Sequence, residues 1–120
     1  MAKDDYDVIV YRILVYLYAC MKHKIMFENI TFEKAVRKNI ESDEYFTDIL
    51  VMMQKEGLIT GVIVAGAWGE SILVSEYSDL KITVDGIHYL KENSTMKKVG
   101  ETLKETVDII AKLAGIIKLF

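Results

Sequence analysis

The chain has 120 residues, 52% of them apolar and 28% charged, enough for one domain with a real core and unlike a disordered or fibrous protein. Its formal net charge of −3 argues against a general binder of nucleic acid or of anionic membranes. A single cysteine, Cys20, cannot close an intrachain disulfide, so nothing points to secretion and a reducing cytoplasm is the expected setting.

The first predicted element is a helix capped by Asp4 or Asp5 and running to about His23. From Val8 to Met21 its only charge is Arg12. That run is too short to span a bilayer, which needs about 20 apolar residues, and too apolar all round to keep one face in water. Its back must be covered, and Tyr11, Val15 and Tyr18 are expected to meet another helix or a second subunit. Cys20 reads as a small core hydrophobe. A short second helix, Phe32 to Asn39 under a Thr31 cap, turns Phe32, Ala35 and Val36 inward and Lys34, Arg37 and Lys38 outward as a basic patch.

Ser42 caps a third helix that Gly57 stops. Phe46, Ile49, Leu50 and Met53 fall at i, i+3, i+4, i+7, a core-facing stripe. Asp43, Glu44, Thr47, Asp48, Val51, Gln54 and Lys55 lie opposite, three acids against one base. Met52 is read as core rather than as a flexible contact.

Leu58 to Ala65 and Ile72 to Ser75 are predicted strands joined by the turn Gly66-Ala67-Trp68-Gly69. A third strand, Leu80 to Ile82, leads to Thr83, which caps a helix over Val84 to Asn93. A last amphipathic helix runs from Met96 to near the end. Helix, helix, helix, hairpin, helix is an α+β order that looks like a winged helix-turn-helix, with residues 1–94 as the domain and 95–120 as an added helix for packing or oligomerisation.

The passage LKITVDGIHYLKEN (80–93) is similar to the "L-T-x-x-G-x-x-Y-L" stretch after the wing of many such domains, with Thr83, Gly86, Tyr89 and Leu90 in the matching places. More narrowly, the chain resembles the YjcQ family of small winged-helix proteins from Firmicutes and their phages. Phe46, then Lys55-Glu56-Gly57 with Ile59, Gly61 and Val62, then Tyr89 to Asn93 and Met96-Lys97-Lys98 carry that resemblance. It implies a fold and a phage-linked setting, with no catalytic residues. The chain departs from the family in its Trp68 turn and in its strongly apolar stretch from Ile109 to Phe120.

Catalytic and metal chemistry find no motif. His23 and His88 stand far apart, neither with a ligand-type neighbour at metal spacing, and no nucleophile elbow, phosphate-binding glycine loop or carboxylate pair is present. The chain is therefore read as a non-enzyme without cofactor or metal. DNA binding would place the third helix in the major groove, using Lys34, Arg37, Lys38, Thr47, Gln54 and Lys55. Against it, the hairpin carries no cation, and Glu70, Glu76 and Asp79 add repulsion where phosphates would lie. The preferred reading gives that surface to a protein partner through Asp43, Glu44, Thr47, Asp48, Val51 and Trp68. Trp68 either anchors the contact or folds back over the sheet. A further alternative is a phage-encoded acidic inhibitor of a host nucleic-acid enzyme, since residues 1–94 hold 10 Lys/Arg and 15 Asp/Glu.

The final helix carries a heptad-like seam of Met96, Val99, Leu103, Thr106, Ile110, Leu113, Ile117 and Phe120. Burying each large side chain is worth roughly 1.5–3 kcal/mol, so this face is expected to be covered. It could pack on the first helix, pair with a second copy, or lie on a membrane with Lys112 and Lys118 at the edge. A homodimer through Tyr11, Val15, Tyr18, Val99, Leu103, Ile110, Leu113, Ile117 and Phe120 is the preferred outcome, and the membrane is the least favoured.

Overall fold

The computed structural model describes residues 5–37, 40–65 and 73–103. Five helices and four short strands follow one another as α1 (Tyr6–Met21), α2 (Asn29–Val36), α3 (Asp43–Lys55), β1 (Ile59–Thr60), β2 (Ile63–Ala65), β3 (Leu73–Glu76), β4 (Lys81–Ile82), α4 (Val84–Glu92) and α5 (Ser94–Thr102). The class is α+β.

α1 is the axle of this arrangement. Every residue from Val8 to Ala19 is buried, because α2, α3, α4, α5 and β4 all pack against it. Its uniform apolarity is thus matched by neighbours on all sides. Arg12 is enclosed with the rest, 1% exposed, and is engaged by an interaction there. The helix ends at Met21, short of the expected His23. His23 instead takes a left-handed φ of 58° as the chain turns.

α2 begins at Asn29, earlier than its sequence suggests. Thr31 lies inside it because its hydroxyl has other work: it donates to the Glu28 carbonyl (3.1 Å) and shares a 2.7 Å hydrogen bond with the Tyr16 hydroxyl. Tyr16 also meets Phe27 and Phe32 edge-on, with ring centroids 5.6 and 5.2 Å apart. Phe32, Phe46 and Tyr77 extend this aromatic cluster to α3 and the segment after β3.

The expected strand from Leu58 to Ala65 divides in two. β1 pairs antiparallel with β4 (Ile59 opposite Ile82), whereas β2 pairs antiparallel with β3 (Val64 opposite Val74). Gly61 makes the break. Its φ is +84°, and a Cβ there would run into the Asp79 carbonyl; a side chain would face both strain and collision. The Thr83 cap holds as expected: its hydroxyl accepts from Gly86 N (2.9 Å) and donates to the Gly57 carbonyl (2.5 Å), joining the start of α4 to the end of α3.

α5 starts at Ser94, where the Asn93 side chain accepts from the backbone N–H of Thr95 and Met96. Met96 and Val99 are fully buried, so residues 95–103 belong to the same core as α1. α5 ends at Thr102, and the expected helix beyond Leu103 lies outside the described residues. Leu103 leaves the helical region at φ −107°, ψ 51°. Gly100 is a weak helix former, and the Thr102 hydroxyl donates back to the Lys98 carbonyl (3.0 Å), a bond that competes with regular helix. No helix among the described residues is long and apolar enough to cross a membrane.

Candidate interaction face

The outward side of α3 is built from its N-terminus. Ser42 caps the helix, its hydroxyl accepting from Tyr45 N at 3.1 Å, and Asp43 and Glu44 sit in the first turn, where the positive end of the helix dipole favours them. Gly57, at φ +77°, is the expected stop. Phe46, Ile49, Leu50 and Met53 are fully buried, as the stripe requires. Glu44, Asp48, Gln54 and Lys55 are exposed and Val51 is half-buried.

Two residues depart from the expected pattern. Thr47, assigned to the outer face in both binding readings, is buried at 4% exposure. It stands next to Phe46 in the helix, so the covered stripe is wider than the apolar spacing alone implies. Met52, read as core, is instead 43% exposed. With Tyr45, it adds apolar surface beside Glu44 and Asp48.

Several of the groups suited to DNA are engaged within the fold. The Arg37 guanidinium lies 2.6 Å from Asp43, donates to the Ile40 carbonyl and stacks 5.1 Å from the Phe46 ring centroid. Burial disfavours its charge, but hydrogen bonds to Asp43 and Tyr77 outweigh that and hold its pKa above the ordinary value. This contact fastens α2 to the start of α3 and ties up one candidate from each binding reading. The Gln54 side-chain oxygen accepts from Val62 N at 2.9 Å, which supports the chain between β1 and β2. Lys34 and Lys55 are exposed. Lys38 and Trp68 lie outside the described residues, as do Ile110, Leu113, Ile117 and Phe120 of the expected seam.

Tyr11, Val15 and Tyr18 are 8%, 1% and 9% exposed. The chain's own α4 and α5 pack over α1 there, and the three side chains line a pocket between these helices. Val99 is buried in the core and Leu103 packs against it.

A concavity of about 610 Å³ is lined by Tyr6, Glu56, Leu58, Asp85, His88, Tyr89, Glu92 and Asn93. Among the described residues, no three His, Cys, Asp or Glu side chains group to hold a metal ion. Burial pushes the Cys20 thiol up to about 11, so it stays protonated at neutral pH and is a poor nucleophile. A surface that the sequence reading missed lies after α1: Met21, Met26 and Ile30 are 47%, 82% and 70% exposed. Their close spacing around the α1–α2 turn was its only signal.

Residues 11–109 match the model of the YjcQ protein family, and the chain belongs to that family. No curated protein and no solved structure matches it.

Proposed function

We propose that this member of the YjcQ family is a non-catalytic interaction module of winged-helix type that presents the outer face of α3 to a protein partner. The observation that carries this reading is the composition of that face. Glu44, Asp48, Tyr45 and Met52 reach solvent, while Arg37 and the side-chain oxygen of exposed Gln54 are already bonded within the chain and Thr47 is buried. Lys55 is the cation left along the helix, whereas each phosphate contact in a groove needs one. An acidic, partly apolar helix face suits a protein surface bearing cations around an apolar spot. The family resemblance suggests a phage or mobile-element setting.

Self-association belongs to the same proposal, through the apolar residues beyond Leu103 rather than through α1, whose Tyr11, Val15 and Tyr18 are covered by α4 and α5. Light scattering should then give twice 13.7 kDa; a monomer at high micromolar concentration removes the dimer.

Fluorescence anisotropy with random duplex DNA tests the main reading against regulation by DNA binding. Dissociation constants weaker than about 10⁻⁴ M at physiological salt are expected, below the usual range for non-specific binders. Micromolar affinity with a steep salt slope would reverse the preference. In the positive arm, Asp48→Lys, beyond the first turn of α3, should abolish co-purification of the partner without lowering the melting temperature.

A further inference from the structure

The pocket between α1, α4 and α5 lies apart from the α3 face and has a chemistry of its own. It measures about 290 Å³, with Tyr11, Val15, Leu90, Met96 and Gly100 along its walls and Tyr18, Lys91 and Lys97 completing the lining. The space exists partly because Gly100 has no side chain: a Cβ there would stand 3.1–3.4 Å from the Tyr11 ring and hydroxyl. An engineered apolar cavity of about 150 Å³ admits benzene. This pocket therefore has room for a body of roughly naphthalene size.

Its charge is one-sided. Among the described residues, none of those lining it is acidic, although the whole chain is acidic at −3. Lys22 and Lys91 both bring their ammonium groups over the Tyr18 ring, 4.4 and 5.2 Å from its centroid. A hydrogen bond to Lys91, with the charges of Lys91 and Lys22, lowers the pKa of the Tyr18 hydroxyl. The phenol ring thus collects positive charge beside an otherwise apolar cavity. Ligand pockets commonly combine apolar walls with a few polar groups that fix orientation.

We propose that this pocket binds a small apolar acid, a carboxylate on an aromatic or compact hydrocarbon body, with the body against Tyr11, Val15 and Met96 and the carboxylate toward Lys91 and Lys97. An ammonium gives a carboxylate charge-assisted hydrogen bonds, whereas an amine of the same shape meets like charge.

Calorimetric titration of the full chain with 1-naphthoate, 1-naphthalenemethanol and 1-naphthylmethylamine tests this. Saturable one-to-one binding of the acid is expected, with the alcohol and amine at least tenfold weaker. Lys91→Gln with Lys97→Gln should weaken the acid at least tenfold and leave the alcohol unchanged. Amide resonances of Gly100 and Lys91 should shift with the acid. No saturable binding by the wild-type chain, as when its own residues fill the pocket, overturns the proposal. So does equal affinity for all three compounds, or shifts confined to residues elsewhere. The ligand series on the wild-type chain decides the matter even where the double variant fails to fold.

Discussion

α1 and α3 both carry polar side chains, and the fold treats them in opposite ways. On α1 the enclosure runs through twelve consecutive residues, Arg12 included, so each change there is felt by packing on several elements. On α3 only one stripe is covered, and the polar groups divide. Those near the α2–α3 corner and β1 are engaged by Arg37–Asp43 and Gln54–Val62, while Asp48 faces water and Glu44 is exposed with one long hydrogen bond from the Ser42 hydroxyl, 3.4 Å. Residue type alone therefore does not mark a functional group; what matters is whether a neighbour already holds it.

The largest expected difference between the two helices is in stability. Leu14→Ala should cost about 2–5 kcal/mol in chemical denaturation, the range for emptying a closed core site, since Leu14 is fully buried. A loss below about 1 kcal/mol would mean that α1 is less enclosed than described.

Alkaline pH probes the same enclosure. Burial raises Cys20 to about 11 and raises Tyr11, Tyr16 and Tyr6 above their ordinary 10. These groups stay protonated longer folded than unfolded. Their contribution is complete below the unfolded values, near pH 9 for the thiol, and is lost as pH rises through the folded ones. Tyr18 has the opposite sign, because Lys91 lowers it. At pH 8, iodoacetamide should alkylate Cys20 about a hundredfold more slowly than in the unfolded chain, following the thiolate fraction; equal rates would break the comparison.

Much of this architecture can be read from the sequence. The caps at Ser42 and Thr83, the stop at Gly57 and the apolar stripe of α3 are local signals, fixed by hydrogen-bond chemistry and helical spacing. The Leu80-to-Asn93 passage also has a physical basis, since a Cβ on Gly86 would run into the Leu58 carbonyl. What could not be read depends on distant partners. The burial of Thr47, the exposure of Met52 and the engagement of Arg37 by Asp43 and Phe46 arise from elements brought together only by folding. Likewise, Tyr11, Val15 and Tyr18 are visible in the sequence as surface needing cover, with the last helix as one of the covers it offers, but neither the choice of that outcome nor the pocket between the helices is legible there.

The Arg37 contact is the intermediate case, half structural and half surface. Its ion pair is worth little by itself because Asp43 is 58% exposed, but the guanidinium also packs on Phe46. Arg37→Ala should therefore cost about 1–2 kcal/mol, and Asp43→Asn less. Equal losses would place all of the effect in the ion pair.

At the small end, Asp48→Asn should change stability by no more than about 0.5 kcal/mol, as for surface sites away from structural features. Asp48 is exposed, and Glu44, one turn earlier on the same face, only adds like charge. Removing Asp48, which lies beyond the first turn, should leave the helix as stable or slightly more so, whereas Glu44 keeps the favourable helix-dipole position. That near-zero effect is what separates a surface kept for a partner from one needed by the fold. A loss above about 1 kcal/mol in denaturant midpoint analysis would show that Asp48 holds the structure. The acidic face of α3 would then be explained by folding alone, as Arg37 and Gln54 already are.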